Sequence, residues 1–180
     1  FAMALLGIGN SLTNTAFAPL YSVRSDFILL LGNAALRTGT FLLVNFPLLA
    51  LIRFVTKKGG SATTVTSALT GYITFHVMTM YFAHTNMSPD AYSSILGLSM
   101  TSVDPLTLTS SVHYPLQTGI VATIVTGTIT LWIFERSRRR WEYSLFAFIS
   151  RDVWCVIVTT LWCAIGGIVL ALIWPYFLST

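Results

Sequence analysis

Two apolar stretches without one charged side chain, Leu116 to Phe134 and Val153 to Thr180, flank a basic knot, Glu135-Arg-Ser-Arg-Arg-Arg-Trp141. Each stretch is long enough to cross a hydrocarbon core, which takes roughly 20 apolar residues at a rise of about 1.5 Å per residue. The knot cannot follow them into lipid. An arginine at the bilayer centre costs about 2.5 to 3.5 kcal/mol on insertion scales, so Arg136, Arg138, Arg139 and Arg140 have to sit in water or headgroups, and the excess of positive charge marks that turn as cytoplasmic. Apolar residues make up 54% of the chain and charged residues only 9%, against about 25% charged in an ordinary soluble domain. That leaves too little polar surface for water, and the chain reads as an integral membrane protein.

The formal net charge of +4 does not point to nucleic acid. The positive residues fall in short blocks beside apolar spans, the pattern that anionic headgroups and the positive-inside rule produce. Of the ten Lys and Arg, Arg53, Lys57 and Lys58 form one block and Arg136, Arg138, Arg139, Arg140 and Arg151 another, leaving Arg24 and Arg37 for the opposite side.

In chain order the pattern predicts an all-α, polytopic protein of about five spans, over residues 1–12, 38–55, 62–83, 116–134 and 153–174. Residues 1–12 are apolar and read as a first span entered part-way. Asn10 to Asp26 carries Pro19 and Arg24 and reads as a loop. Phe27 to Leu36 ends at Arg37 and is too short to cross alone, so it reads either as interfacial or as an outward extension of the following helix, and the second span is placed at 38–55, kinked at Asn45-Phe46-Pro47. The stretch from His84 to Pro115 has no Lys or Arg and is expected to be external, with Ser88-Pro89-Asp90 starting a short helix within it.

Few residues carry chemistry. His76, in the threonine-rich third span, is the candidate for substrate binding, because an ionisable group inside a span is costly; the plainer reading is a neutral imidazole hydrogen-bonded to a neighbouring helix. His84 and His113 lack ligand spacing, and Cys155 and Cys163, eight residues apart, form neither a CxxC nor a disulfide along one helix. No metal, no cofactor and no catalytic residue is expected, since nucleotide-binding, nucleophile and metalloprotease motifs are all missing. Gly119, Thr123 and Gly127 stack at four-residue spacing, and Gly166-Gly167 with Ala171 do something similar on the fifth span. Small residues at that spacing let helices approach closely, within the chain or across a dimer seam.

Several short segments, in order, resemble the membrane permease (IIC) component of bacterial phosphotransferase sugar transporters of the glucose, maltose and β-glucoside branch. Leu6-Gly-Ile-Gly-Asn-Ser11 looks like the end of that family's first helix. Val44-Asn-Phe-Pro-Leu-Leu49 is similar to its "NLPLLF" helix, and Ser67-Ala-Leu-Thr-Gly-Tyr72 to its "ALAGLVGYL". Gly119 to Arg136 resembles a glycine-led helix with a basic exit, and Phe146-Ala-Phe-Ile-Ser-Arg151 followed by Ile173-Trp-Pro175 resembles the block that ends in "IWP". Where the family has Gly-Lys-Arg-Phe-Val-Pro-Ile, this chain has Ser150-Arg151-Asp152-Val153-Trp154-Cys155, without the proline and with one basic residue fewer.

The resemblance implies the amino-terminal half of such a permease, in a bacterial inner membrane. It implies a homodimer whose first helices form scaffold and interface, with the sugar gripped by a carboxy-terminal half and phosphorylated by a cytoplasmic IIB phosphocarrier domain. On that view Gly119, Thr123 and Gly127 belong to the packing or dimer face, and Arg138, Arg139, Arg140 and Arg151 to a docking or hinge surface. The rival reading from another class is a structural membrane subunit of a larger complex with no transport activity. A self-contained five-helix transporter ranks last, for want of an internal repeat.

Overall fold

A computed structural model describes residues 1–13, 26–59, 61–82, 95–97, 99–103, 110–140 and 150–178. Among these, six α-helices dominate: α1 (Ala2–Thr13), α2 (Asp26–Val44), α3 (Phe46–Gly59), α4 (Ala62–Phe82), α5 (Ile120–Arg140) and α6 (Arg151–Leu178). Between α4 and α5 lie a single 3-10 turn, Ile95–Gly97, and two short antiparallel strands, β1 (Met100–Val103) and β2 (Ser110–His113), in register Met100 to His113 and Val103 to Ser110. The expected helix start at Ser88-Pro89-Asp90 falls outside the described residues, as does His84.

The chain divides into two compact units, residues 1–46 and 47–180. The first is a helical hairpin whose arms touch backbone to backbone. A Cβ built on Gly9 would stand 2.7 Å from Leu36 Cγ, one on Gly32 2.9 Å from Leu12 Cβ, and one on Gly39 2.9 Å from Leu6 Cγ. Residue numbers rise on α1 as they fall on α2, so the arms are antiparallel. Hairpin packing therefore depends on three positions with no side chain.

In the second unit α4, α5 and α6 pack lengthwise. Thr63 meets Asp152, Gly71 meets Thr159 and Cys163, and Phe75 and Met78 meet Gly167. Numbers rise together along both helices, so α4 and α6 run parallel, while α5 runs the other way and packs against both. Both α4 and α6 begin with a serine cap. Thr64 N–H donates to Ser61 Oγ at 3.1 Å and Val153 N–H to Ser150 Oγ at 3.4 Å, each satisfying a backbone donor that the first turn leaves unpaired. Asp152 adds negative charge to the first turn of α6, where the helix dipole favours it.

The faces of α6 show which solvent it suits. Cys155, Thr159, Cys163, Gly167 and Ala171, four apart, are all buried, whereas Val153, Ile157, Leu161, Ile165, Val169 and Ile173 are 43–62% exposed. Two residues along a helix is about half a turn, so the small residues face protein and the bulky branched ones face outward. A helix in water buries its bulky side chains. One in lipid has no reason to, because acyl tails are as apolar as leucine, and helices associate there through close packing of small residues.

The span count differs from the sequence expectation. Among the described residues three helices, not five, are long and apolar enough to cross a membrane: Phe27–Val44, Ile120–Ser137 and Arg151–Tyr176. Helix α1 has 12 residues and α3 has 14, and α3 ends on Lys57 and Lys58. Helix α4 has the length, at 21 residues, but Thr63, Thr64, Thr66, Thr70, Thr74 and Thr79 lower its apolarity.

The expected span at 38–55 is cut in two. Pro47 has no N–H to give the carbonyl of Leu43, and its ring would crowd that carbonyl. Helix α2 accordingly stops at Val44, and the Asn45 side chain turns back to donate to Phe41 O at 2.8 Å. Pro47 then sits in the first turn of α3, where a missing N–H costs nothing. Phe27 to Leu36, too short on its own, continues through Arg37 to Val44 as one helix, with Arg37 exposed.

Candidate functional site

Helix α4 is the element on which the polar interior is built. Thr64, Ser67, Ala68, Gly71, Tyr72, Phe75, His76, Thr79 and Met80 are its buried residues, a continuous stripe at three- and four-residue spacing. Half of that stripe is polar, which is why the hydropathy pattern of the segment does not reveal it. Threonine hydroxyls bond back along the helix: Thr66 to Ala62 O at 3.0 Å, Thr70 to Thr66 O at 3.1 Å, Thr74 to Thr70 O at 2.9 Å and Thr79 to His76 O at 2.7 Å. So paired, the hydroxyls are satisfied within the helix itself.

His76 has no solvent exposure. Its ring lies edge-on to Tyr72, with centroids 4.5 Å apart, and to Phe75 at 5.5 Å. Among the described residues neither ring nitrogen has a hydrogen-bond partner, and the Tyr72 and Ser67 hydroxyls on the same stripe likewise have none. The Tyr72 and Phe75 rings both belong to α4 itself, so the imidazole packs edge-on among the aromatics of its own helix. Among the described residues no helix offers it the hydrogen bond that the plainer sequence reading supposed.

The four-spaced residues on α5 have separate placements. Thr123 Oγ1 donates to Pro47 O at 2.7 Å. A Cβ on Gly127 would stand 2.7 Å from Phe54 Cδ1 and 3.2 Å from Leu51 Cδ1. Both positions thus seat α3 against α5 within one chain. Gly119 precedes the helix with φ +53° and open space around it, so its role is to allow the turn into α5. The ladder from Cys155 to Ala171 on α6 is the longer seam. Its four-residue spacing is readable in the sequence, but the cysteines conceal it because they are seldom counted among small packing residues.

The basic blocks come together at one end of the second unit. Lys58 from α3, Ser61 and Thr64 from the start of α4, Glu135 from the end of α5 and Arg151 from the start of α6 line a cleft of about 840 Å³. Phe54, Leu131, Trp132 and Phe134 form its apolar wall. Lys58 Nζ lies 5.4 Å from the centre of the Phe54 ring, and the Arg136 guanidinium 5.6 Å from that of Trp132. The Ser61 and Thr64 hydroxyls hydrogen-bond each other.

Arg151 pairs with Asp152 at 3.4 Å, both half-exposed, a geometry in which an ion pair contributes little. Asp152 also accepts from Thr63 Oγ1 at 3.2 Å, tying α6 to α4. Arg138, Arg139 and Arg140 are the last residues of α5; their side chains lie outside the described set. Among the described residues no three His, Cys, Asp or Glu side chains gather as metal ligands.

The chain matches no protein-family model, no curated protein and no solved structure.

Proposed function

We propose that this chain is the scaffold portion of a phosphotransferase-type sugar permease in a bacterial inner membrane. What carries the scaffold role is the close crossing of α4 and α6. Gly71 leaves 2.8 Å between a would-be Cβ and Cys163 Sγ, and Gly167 leaves 2.5 Å to the backbone oxygen of Phe75. Contacts through bare backbone cannot slide without opening voids, so the two helices form a stiff body. Such a body suits the stationary part of a transporter, against which a sugar-carrying part moves. The phosphotransferase assignment rests on the order of short segments from Leu6 to Pro175 set out above.

On this reading α4 also lies within the bilayer, although its own apolarity falls short. It runs beside α6 for most of its length and turns its polar stripe inward, while the outward threonines Thr66, Thr70 and Thr74 bond their hydroxyls back to the helix. The basic end faces the cytoplasm, where the arginines closing α5 and Arg151 offer a docking surface to a IIB phosphocarrier domain. The exposed outer faces of α2 and α6 meet lipid or a second copy.

The test is phosphoenolpyruvate-dependent sugar phosphorylation by membranes containing the protein, with a panel of glucosides, alongside co-purification of the cell's IIB domains. Phosphorylation that fails when Arg138, Arg139 and Arg140 are all replaced by glutamine, with membrane orientation unchanged, supports both the function and the docking role. No phosphorylation of any sugar, with stoichiometric recovery of unrelated membrane chains instead, overturns the reading in favour of a structural subunit of a larger complex.

A further inference from the structure

We infer that the cleft at the basic end of the second unit is a binding site for the phosphate-bearing headgroup of an anionic phospholipid. The argument does not use the sugar-transport reading; it needs only that α5 and α6 cross a bilayer. Four elements meet around the cleft, and its lining has two chemistries. Lys58 and Arg151 supply cations from chain positions 93 residues apart (151 less 58), while Phe54, Leu131 and Trp132 supply an apolar wall. A soluble anion would need only the first. A lipid needs both, with phosphate on the cations and glycerol or upper acyl carbons along the aromatics.

Position along the helices supports the same assignment. The cleft sits where α5 changes from Leu131-Trp-Ile-Phe134 to Glu135 and Arg136, and where α6 changes from Arg151 and Asp152 to an uncharged run. Those are the places at which a membrane helix passes from acyl chains to headgroups, and aromatic side chains favour that level. Basic pockets between membrane helices on the cytoplasmic side hold acidic headgroups, with about 1 kcal/mol from each Lys or Arg near the surface. The Ser61 hydroxyl adds a polar contact at the rim. Glu135 opposes binding, because its carboxylate shares the lining with the two cations.

The measurement is native mass spectrometry of the intact protein released from nanodiscs of equal phosphatidylglycerol and phosphatidylcholine. Retention of phosphatidylglycerol over phosphatidylcholine is expected, and it should fall about fivefold for each cation removed in Lys58→Gln and Arg151→Gln. Glu135→Gln should raise it, and this variant keeps the test decisive should a cation variant fold poorly. Lys57→Gln, exposed and outside the lining, should leave it unchanged. Equal retention of the two lipids, or a Glu135→Gln variant that retains no more phosphatidylglycerol than the parent, overturns the inference. Displacement of the lipid by millimolar inorganic phosphate would assign the cleft to a soluble anion and overturn the lipid assignment.

Discussion

A Cβ added to Gly167 would stand 2.5 Å from the carbonyl oxygen of Phe75, and 3.0 Å from Met78 Cβ. Backbone cannot rotate out of the way as a flexible side chain can, so this contact sets how near α4 and α6 lie. The adjacent Gly166 faces elsewhere, its nearest neighbour being Phe75 Cε2 at 3.7 Å. Two neighbouring glycines therefore predict opposite signs. Gly167→Ala should destabilise by about 1 to 3 kcal/mol through overpacking, while Gly166→Ala should be neutral or stabilise by about 0.5 to 1 kcal/mol, because alanine loses less backbone freedom in a helix. Thermal unfolding in a fixed detergent compares them, and equal Tm values for the two variants would contradict the close crossing.

The Gly71 contact lends itself to a compensating change. Its would-be Cβ meets Cys163 Sγ at 2.8 Å but Cys163 Cβ only at 3.5 Å, so the sulfur is the obstacle. Gly71→Ala should lose stability alone and recover part of it when combined with Cys163→Ala. A coupling of about 0.5 to 3 kcal/mol is expected for residues in direct contact. Additive losses across the double-mutant cycle would mean that α4 and α6 do not meet there.

Thr123 and Thr130 test a bond between elements against a bond within one. Thr123 Oγ1 reaches Pro47 O on α3, whereas Thr130 Oγ1 returns to Thr126 O on its own helix at 2.7 Å. Valine matches threonine in shape and removes only the hydroxyl. Thr123→Val should cost about 0.5 to 1.5 kcal/mol, and Thr130→Val less, since the Thr126 carbonyl keeps its backbone partner. Protease accessibility of the α3 segment should rise in the first variant only.

His76 is the position at which a transport pathway and a packing role diverge. Its two nitrogens are buried and unpaired, so Phe, which keeps an aromatic ring there, should hold or raise Tm, because replacing unsatisfied buried polar atoms by apolar ones is close to neutral or stabilising. His76→Lys should destabilise severely, for want of any acid beside it among the described residues. On the permease reading, normal sugar uptake by His76→Phe is expected. Uptake abolished at unchanged Tm would place the imidazole on a transport route.

The class of the protein was legible in the sequence because it depends on local quantities. Uncharged runs such as Val153 to Thr180, the arginines clustered after Phe134 and the scarcity of acids act wherever the chain folds, and they specify helices, a membrane and the turns that stay out of it. The span boundaries were less legible. Reading Arg37 as an end and Pro47 as a kink shifted the second span, although the same proline rule, applied to the carbonyl of Leu43, gives a break at Asn45.

Only the tertiary structure decided which faces meet. The inward stripe of α4 is half polar and that of α6 is small rather than bulky, so hydropathy cannot distinguish protein-facing from lipid-facing sides; the two differ in size and shape. Lys58, Glu135 and Arg151 each read as a flank of a separate turn, and they share one cleft because α4 and α6 run parallel with α5 antiparallel against both. A sequence determines the solvent its helices suit through the sum of side-chain transfer energies. Which distant residues come together follows from how those helices interlock, and that depends on contacts such as Gly167 against Phe75.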